Sequence, residues 1–391
     1  MTPLTFAYAS RPNLDAYLDE WRAKYNVELR QETWATLWDS LRDSIFARRG
    51  IEVSEIGTTW LTRLVGMNAI RPFEPQEVQY IAGRDAFSPA IWQNSQIEGD
   101  KRIWSIPLTL DARVIYYWPD MLETAGLDGK TAFQSPEQLQ VTLDALCSQA
   151  ETPWGVTTHL DTLNVQYIAT WVWKAGGDFV TADGRKTCFT EPKALQAIEQ
   201  FYKLYAYMPQ QAAPIHTDQL INLFIQRRIA AVMSGPWFTE RLRSHLHGSP
   251  ALAQIRTTLP PGPTFLGGTN LVMLSHTPAS SERSAIELIK RLVSRSTQEQ
   301  FYDSFGMLPV RSDVISNVLA SDDPLSSCYM NASLYGRSYP SVVRWGLIEE
   351  RLVEDFAAIW VDIQTSQRPA KDIIHERLER AAQSLDLVLA Q

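Results

Sequence analysis

The sequence predicts an α/β fold built as two lobes, and three observations predict it. Residues 4–66 alternate strand-like and helix-like runs in β-α-β-α-β order, which implies a parallel sheet with covering helices. The chain has 391 residues, too many for one ordinary domain. Within Gly99–Leu127 an extended stretch, Leu108-Thr109-Leu110-Asp111, joins two strand-like runs without a turn, as suits a chain crossing between lobes.

The first strand is Leu4–Ala9, which alternates, and Ser10-Arg11-Pro12-Asn13 ends it. Leu14, Tyr17, Leu18 and Trp21 recur at helical spacing and predict a helix to Tyr25. Val27–Gln31 is a second strand, followed by a helix from Thr33-Trp34 to about Arg49. Ile51–Gly57 is a third strand, and Thr58-Thr59-Trp60-Leu61 opens the next helix. Ligands of such sheets bind beyond the carboxyl ends of the strands. Tyr8 and Ser10, Glu32 to Trp34, and Thr58, Thr59 and Trp60 stand there.

Glu77–Trp92 reads as mainly helical. Arg102–Pro107 and Ala112–Trp118 read as strands, and Pro119-Asp120 starts a helix that Gly126 stops. Ser135-Pro136-Glu137 has an N-cap, a first-turn proline and an acid, and begins a helix to about Ala150. Trp154–Thr158 is a short strand, Asn164–Lys174 an aromatic helix, and Asp183-Gly184 a hairpin turn. Helices follow at 191–208 and 216–226. Ala230–Ser234 is a buried strand ending at Gly235-Pro236-Trp237-Phe238, with a helix from Thr239. Gly267–Asn270 precedes the strand Leu271–Leu274 and reads as a crossing back. Helices at 281–295 and 297–305, extended Gly306–Arg311 and a helical remainder broken at Tyr335–Pro340 complete the chain.

Composition narrows the function. A net charge of −8 argues against nucleic acid and anionic membrane as partners, because phosphate binding needs basic excess. No apolar run approaches the roughly 20 residues of a membrane-spanning helix. No leader is visible, so the protein is expected either in the cytosol or with its leader already removed. Cys147, Cys188 and Cys328 are far apart, allow at most one disulfide and lack metal-ligand spacing. His245 and His247, two apart on a predicted helix, do not face together, so no metal and no cofactor are expected. The 13 Trp stand out. A core needs few, because each indole N–H must find a partner, so the surplus suggests a surface for a ligand with apolar faces and polar edges.

Four segments in order resemble the family 1 extracellular solute-binding proteins, the sugar-capturing subunits of bacterial ABC importers, related to maltose- and trehalose-binding proteins. They are Gly99–Leu127, Trp173-Lys174-Ala175-Gly176-Gly177-Asp178-Phe179, Ala230–Trp237 and Gly306–Arg311. The resemblance implies the two-lobed periplasmic-binding-protein fold of type II. It also implies three crossover segments forming a hinge, and a ligand cleft that closes on binding. On this reading residues 1–110 and 270–309 form the N-terminal lobe, and residues 111–269 and 310–391 the C-terminal lobe. It further implies a carbohydrate ligand, permease subunits of an ABC importer as partners, a monomer, and a place in the periplasm or lipid-anchored at the outer face of the cytoplasmic membrane.

Sugar recognition pairs aromatic rings, which pack on the C–H faces, with planar or charged groups that match the hydroxyls. Trp237 is the expected stacking platform, since the family places an aromatic there. Asp111 is expected to accept sugar hydroxyls from the crossover, and Gly268 and Thr269 to offer backbone N–H groups. The strand ends add Tyr8, Ser10, Trp34, Thr59 and Trp60, with Glu32 a weaker option. Trp173 lies on an aromatic helix stripe. The family brings a late arginine to the sugar, here Arg337 or Arg344, with Tyr339 and Trp345 beside them. Arg113 either orients Asp111 or braces the hinge.

Three other readings stay open. A glycoside hydrolase needs two carboxylates across a scissile bond, which only Asp111 and Glu32 would supply. The same fold binding a polyamine or another non-sugar solute wants several carboxylates. A structural scaffold leaves the aromatic strand ends unexplained.

Overall fold

The structure, a computed structural model, describes residues 3–9, 12–161, 163–211, 213–305, 307–319, 323–326 and 328–390. Among them are ten strands: β1 Leu4–Ala9, β2 Val27–Glu32, β3 Val53–Gly57, β4 Ile70–Arg71, β5 Ile106–Ala112, β6 Val114–Tyr117, β7 Trp154–Gly155, β8 Ala231–Ser234, β9 Arg256–Thr258 and β10 Leu266–Leu274. The chain divides into two compact units. Unit 1 takes residues 1–111, 266–320 and 341–343, and unit 2 takes 112–265, 321–340 and 344–391. Residues 111, 266–269, 310–320 and 341–343, assigned from sequence to the C-terminal lobe, fall in unit 1. One reason is that β10 already begins at Leu266 and carries 266–269 into the unit 1 sheet. Another is that the helix Ser312–Leu319 packs on Arg295–Phe305.

Unit 1 is a sheet in the order β2-β1-β3-β10-β4, with β5 paired to β10. β1 runs parallel to β2, from Leu4 beside Val27 to Ala9 beside Glu32, and parallel to β3. β10 runs antiparallel to β3 and sets Thr269 beside Gly57. The carboxyl ends of β1, β2 and β3 therefore share one sheet edge with Thr269. Leu37 and Leu41, four apart on the helix Trp34–Ala47, bury one face of that helix against Ala7, Ile56, Val272 and Leu274. Thr33 caps the helix: its Oγ1 accepts from Thr36 N at 3.2 Å, and Thr36 Oγ1 accepts from Thr33 N at 3.0 Å. This box fixes where β2 ends and the helix starts, and so where Trp34 stands.

Unit 2 has the sheet order β7-β8-β6-β9. β6 is antiparallel to β8 and β9, and β7 is parallel to β8. The helix Leu163–Lys174 is buried on every side from Asn164 to Trp173, which explains its nearly continuous apolar sequence. It packs against the helices Pro192–Lys203 and Trp345–Thr365. Two of the polar atoms buried there find partners across the helices: Trp360 Nε1 donates to Asn164 Oδ1 at 3.1 Å, and Tyr202 Oη to the Phe356 carbonyl at 2.8 Å.

Several element boundaries differ from the sequence reading. Residues 102–105 are not strand, and Leu108–Asp111 is the body of β5 rather than a link between strands. β7 spans two residues, and β9 was not foreseen, since Arg256-Thr257-Thr258 is too short to show a period. The helix expected from Thr239 begins at Pro236, because Pro at the first helical position loses no needed N–H. Trp237 thus stands in the first turn of a helix. Gly267–Asn270 is strand, and Thr269 and Asn270 pair with Gly57 and Ile56 of β3.

Candidate functional site

At the carboxyl edge of the unit 1 sheet, three indoles gather. Trp34 meets Trp60 edge-on with ring centroids 5.7 Å apart, and Trp38 meets Trp60 at 5.3 Å. Arg63 lies 4.3 Å over the Trp38 ring. Trp38 and Trp60 pack against the unit 1 core, while Trp34 is 42% exposed. Sequence reasoning took Trp34 and Trp60 but missed Trp38. Its spacing of four from Trp34 was the signal, since residues four apart share a helix face. Thr59 is half-buried in the short 3-10 turn Thr58–Trp60.

Other residues expected at this edge are engaged within the unit. Tyr8 is fully buried, its ring stacked on Phe6 at 5.3 Å, because both project to the same face of β1. Ser10 lies outside the described residues. The Glu32 carboxylate accepts hydrogen bonds from Ser40 Oγ at 2.5 Å, Thr36 Oγ1 at 2.7 Å and Arg30 Nε at 2.9 Å. Burial works to raise its pKa, but these bonds outweigh it and hold the carboxyl below its usual value. Gly268 has φ +138°, and a Cβ there would collide with the Thr109 carbonyl. Only glycine lets β10 approach β5 so closely. Thr269 Oγ1 and Thr109 Oγ1 are 2.8 Å apart and buried, so that hydroxyl ties β10 to β5. Asp111, half-buried, ends the first of the three segments of unit 1 and lies near the end of β5.

Unit 2 gathers more rings, and two arginines lie against three of them. Trp237 is half-buried, and the Arg113 guanidinium lies 4.6 Å from its ring centroid and 5.7 Å from that of Phe265. Tyr339 stacks on Trp345 at 4.2 Å and also meets Phe265 at 5.0 Å, Trp173 at 5.6 Å and Phe179 at 5.9 Å. Arg337 lies 5.0 Å over Trp173 and pairs with Asp178, which also accepts from Trp173 Nε1 at 3.3 Å. Two buried polar atoms in this cluster, Tyr339 Oη and Trp345 Nε1, have no partner among the described residues. Burial pushes the Tyr339 pKa well above its ordinary value, and the Glu349 charge adds to it.

Arg344, offered as an alternative to Arg337, instead donates to the Val388 carbonyl of the C-terminal helix, where it caps an end rich in unsatisfied carbonyls. Gln166, Phe265 and Asp178 were missed as members of this cluster. Asp178 lay in a motif already singled out, whereas Gln166 and Phe265 carry no local signal. Among the described residues no cluster of three His, Cys, Asp or Glu could hold a metal, and no helix is long and apolar enough to cross a membrane.

Known proteins share this architecture. The maltose-bound MalE3 protein of T. maritima superposes with a TM-score of 0.82 at 18% identity, covering 99% of each chain. A solute-binding protein of an ABC transporter from Thermotoga lettingae, bound with α-D-tagatose, superposes at 0.79 with 19% identity and full coverage of both chains. At these identities the likeness is one of fold: two α/β lobes of the periplasmic solute-binding kind. A binding protein of Brucella abortus strain 2308 is 23% identical over 294 residues, covering 72% of this chain and 67% of its own. A family model described as bacterial extracellular solute-binding protein matches residues 16–326. The chain belongs to the bacterial extracellular solute-binding proteins.

Proposed function

We propose that this protein captures a carbohydrate or polyol outside the cytoplasmic membrane and delivers it to the permease of an ABC importer. The observation that carries the reading is the unit 2 ring cluster with its two buried, unmatched polar atoms. Ring faces suit the C–H faces of a pyranose, and Tyr339 Oη and Trp345 Nε1 suit its hydroxyls. Trp237 supplies the partly exposed ring, and Trp34 and Trp60 supply a second aromatic surface in unit 1. Asp111 serves as an acceptor for ligand hydroxyls. The sugar ligands of the maltose- and tagatose-bound neighbours support the class. A polyamine fits less well, because Glu32 and Asp178 already accept from cations or hydroxyls of their own unit. We read the protein as a monomer that releases its ligand unchanged, in the periplasm or lipid-anchored at the outer face of the cytoplasmic membrane.

A thermal-shift screen of mono-, di- and trisaccharides and sugar alcohols, followed by calorimetry on the hits, tests the reading. Binding only the closed or ligand-competent form raises the melting temperature by mass action. A sugar is expected to raise the midpoint, to bind one-to-one and to be recovered intact. Spermidine raising it while no sugar does would replace the carbohydrate with a cation, and release of hydrolysed sugar would make the protein an enzyme.

A further inference from the structure

We propose that Arg113 is a positioning residue for Trp237, holding the indole in one orientation from behind. Arg113 is 1% exposed, in the single-residue link between β5 and β6. An arginine buried so deeply is costly unless its donors are matched. Here Nε donates to Gln166 Oε1 at 3.0 Å, Nη2 reaches the same oxygen, and Nη1 lies 3.4 Å from the Ala112 carbonyl. Its backbone is pinned as well. The Arg113 N–H donates to Thr264 Oγ1 at 3.1 Å, and the Thr264 hydroxyl donates back to the Arg113 carbonyl at 2.5 Å.

The guanidinium so fixed lies against the indole of Trp237. The other wall is backbone: a Cβ on Gly235 would overlap both the Trp237 ring and Arg113 Nη1. The indole therefore folds back over a residue with no side chain and rests on a cation with no freedom to move. A planar cation beneath a ring contributes orientation as well as energy, and prepaying that order leaves less to lose on binding. The chain of support runs from the buried helix that carries Gln166, through Arg113, to Trp237. The effect on ligand affinity rests on the carbohydrate reading above, but the orientation of Trp237 does not.

The test has two arms. Protein labelled with 5-fluorotryptophan gives a resonance for Trp237, assigned with Trp237→Phe. That line is expected to be single in the native protein and in Arg113→Lys, and to broaden or split in Arg113→Met while the other tryptophan lines stay. Should Arg113→Met fail to fold, Gln166→Leu frees the guanidinium without removing its charge, and the same change is expected there. An unaltered Trp237 line in both variants overturns the proposal, as does an equal disturbance of all the lines. In the second arm, the tighter-binding of maltose and D-tagatose is titrated into the variants. Arg113→Met is expected to weaken binding about five- to thirtyfold. In a Trp237→Ala background the same substitution is expected to change affinity less than twofold, and an undiminished effect there overturns the proposal. If no sugar or sugar alcohol of the screen binds the native protein, the carbohydrate reading fails and the fluorine spectrum still decides the role of Arg113.

Discussion

The two aromatic surfaces of this protein are built in opposite ways. In unit 1, Trp34, Trp38 and Trp60 meet edge to face at the end of a parallel sheet, and one of the three is largely exposed. In unit 2, the rings are mostly buried, Tyr339 and Trp345 stack at 4.2 Å, and two arginines lie against Trp237 and Trp173. The first surface leans on a hydrophobic core, so its rings do structural duty as well as any binding duty. The second leans on polar scaffolding, whose loss would spare the core. Substitutions in the two surfaces should therefore separate affinity from stability in different proportions.

The largest effect is expected at Trp237. Replacing it with alanine removes the partly exposed ring that Arg113 backs. Loss of such an aromatic anchor costs about 2–4 kcal/mol of binding, near a hundredfold in affinity, while the melting temperature moves little. Calorimetry with the sugar found by screening measures the first, and a thermal melt without ligand measures the second. A large drop in midpoint would show that Trp237 belongs with the unit 1 rings in kind.

Trp60→Ala should do the reverse. Trp60 packs on the cluster of Ile56, Leu61 and Leu64 and carries both edge contacts of the trio. Being only half-buried, it is expected to cost about 2–3 kcal/mol of stability, below the range for a fully buried tryptophan. Urea unfolding reads this directly, and an unchanged midpoint would mean the ring contributes only to the surface.

The contrast also shows what the sequence could and could not disclose. The order of β1 to β3 with their helices followed from period and from helix caps, so the edge carrying Trp34 and Trp60 was legible. The helix start at Pro236 was misplaced by three residues, because Gly235-Pro236 serves as well for a strand end as for a helix start. Tyr8 stands near a strand end, yet β1 lies between β2 and β3 with both faces covered, so its side chain is buried. From sequence, Gly268 and Thr269 read as part of a crossing that offers backbone N–H groups. They are strand instead, and the reason for the glycine is the Thr109 carbonyl across the sheet. Arg344 and Arg337 could not be told apart, since the carbonyl that takes Arg344 lies 44 residues further on. What stayed hidden in each case was a partner distant in sequence.

The Arg337–Asp178 pair provides a smaller test. Arg337 is 43% exposed at its side chain, so water screens the pair, and Asp178→Asn is expected to cost under about 1 kcal/mol of stability. Its effect on binding should be larger than its effect on folding, because Asp178 also holds the Trp173 N–H. Equal effects in calorimetry and urea unfolding would place the pair with the structural contacts.

The smallest effect separates the polar scaffolding of unit 1 from that of unit 2. Glu32 accepts from Ser40, Thr36 and Arg30, and its folded pKa is lowered below the ordinary 4.5. A carboxylate with a lowered folded pKa stabilises the fold above the unfolded value, and that contribution is lost as pH falls through the folded one. Glu32→Gln keeps an acceptor and removes the charge, so it should cost about 0.5–1 kcal/mol at pH 7. The difference from the native protein should close as pH falls below about 4.5 and through the lowered folded pKa. Paired thermal melts at pH 7 and pH 3 measure it. A gap that persists at pH 3 would mean that shape rather than charge at Glu32 holds the β2 end in place. The capping box of Thr33 and Thr36 alone would then position Trp34.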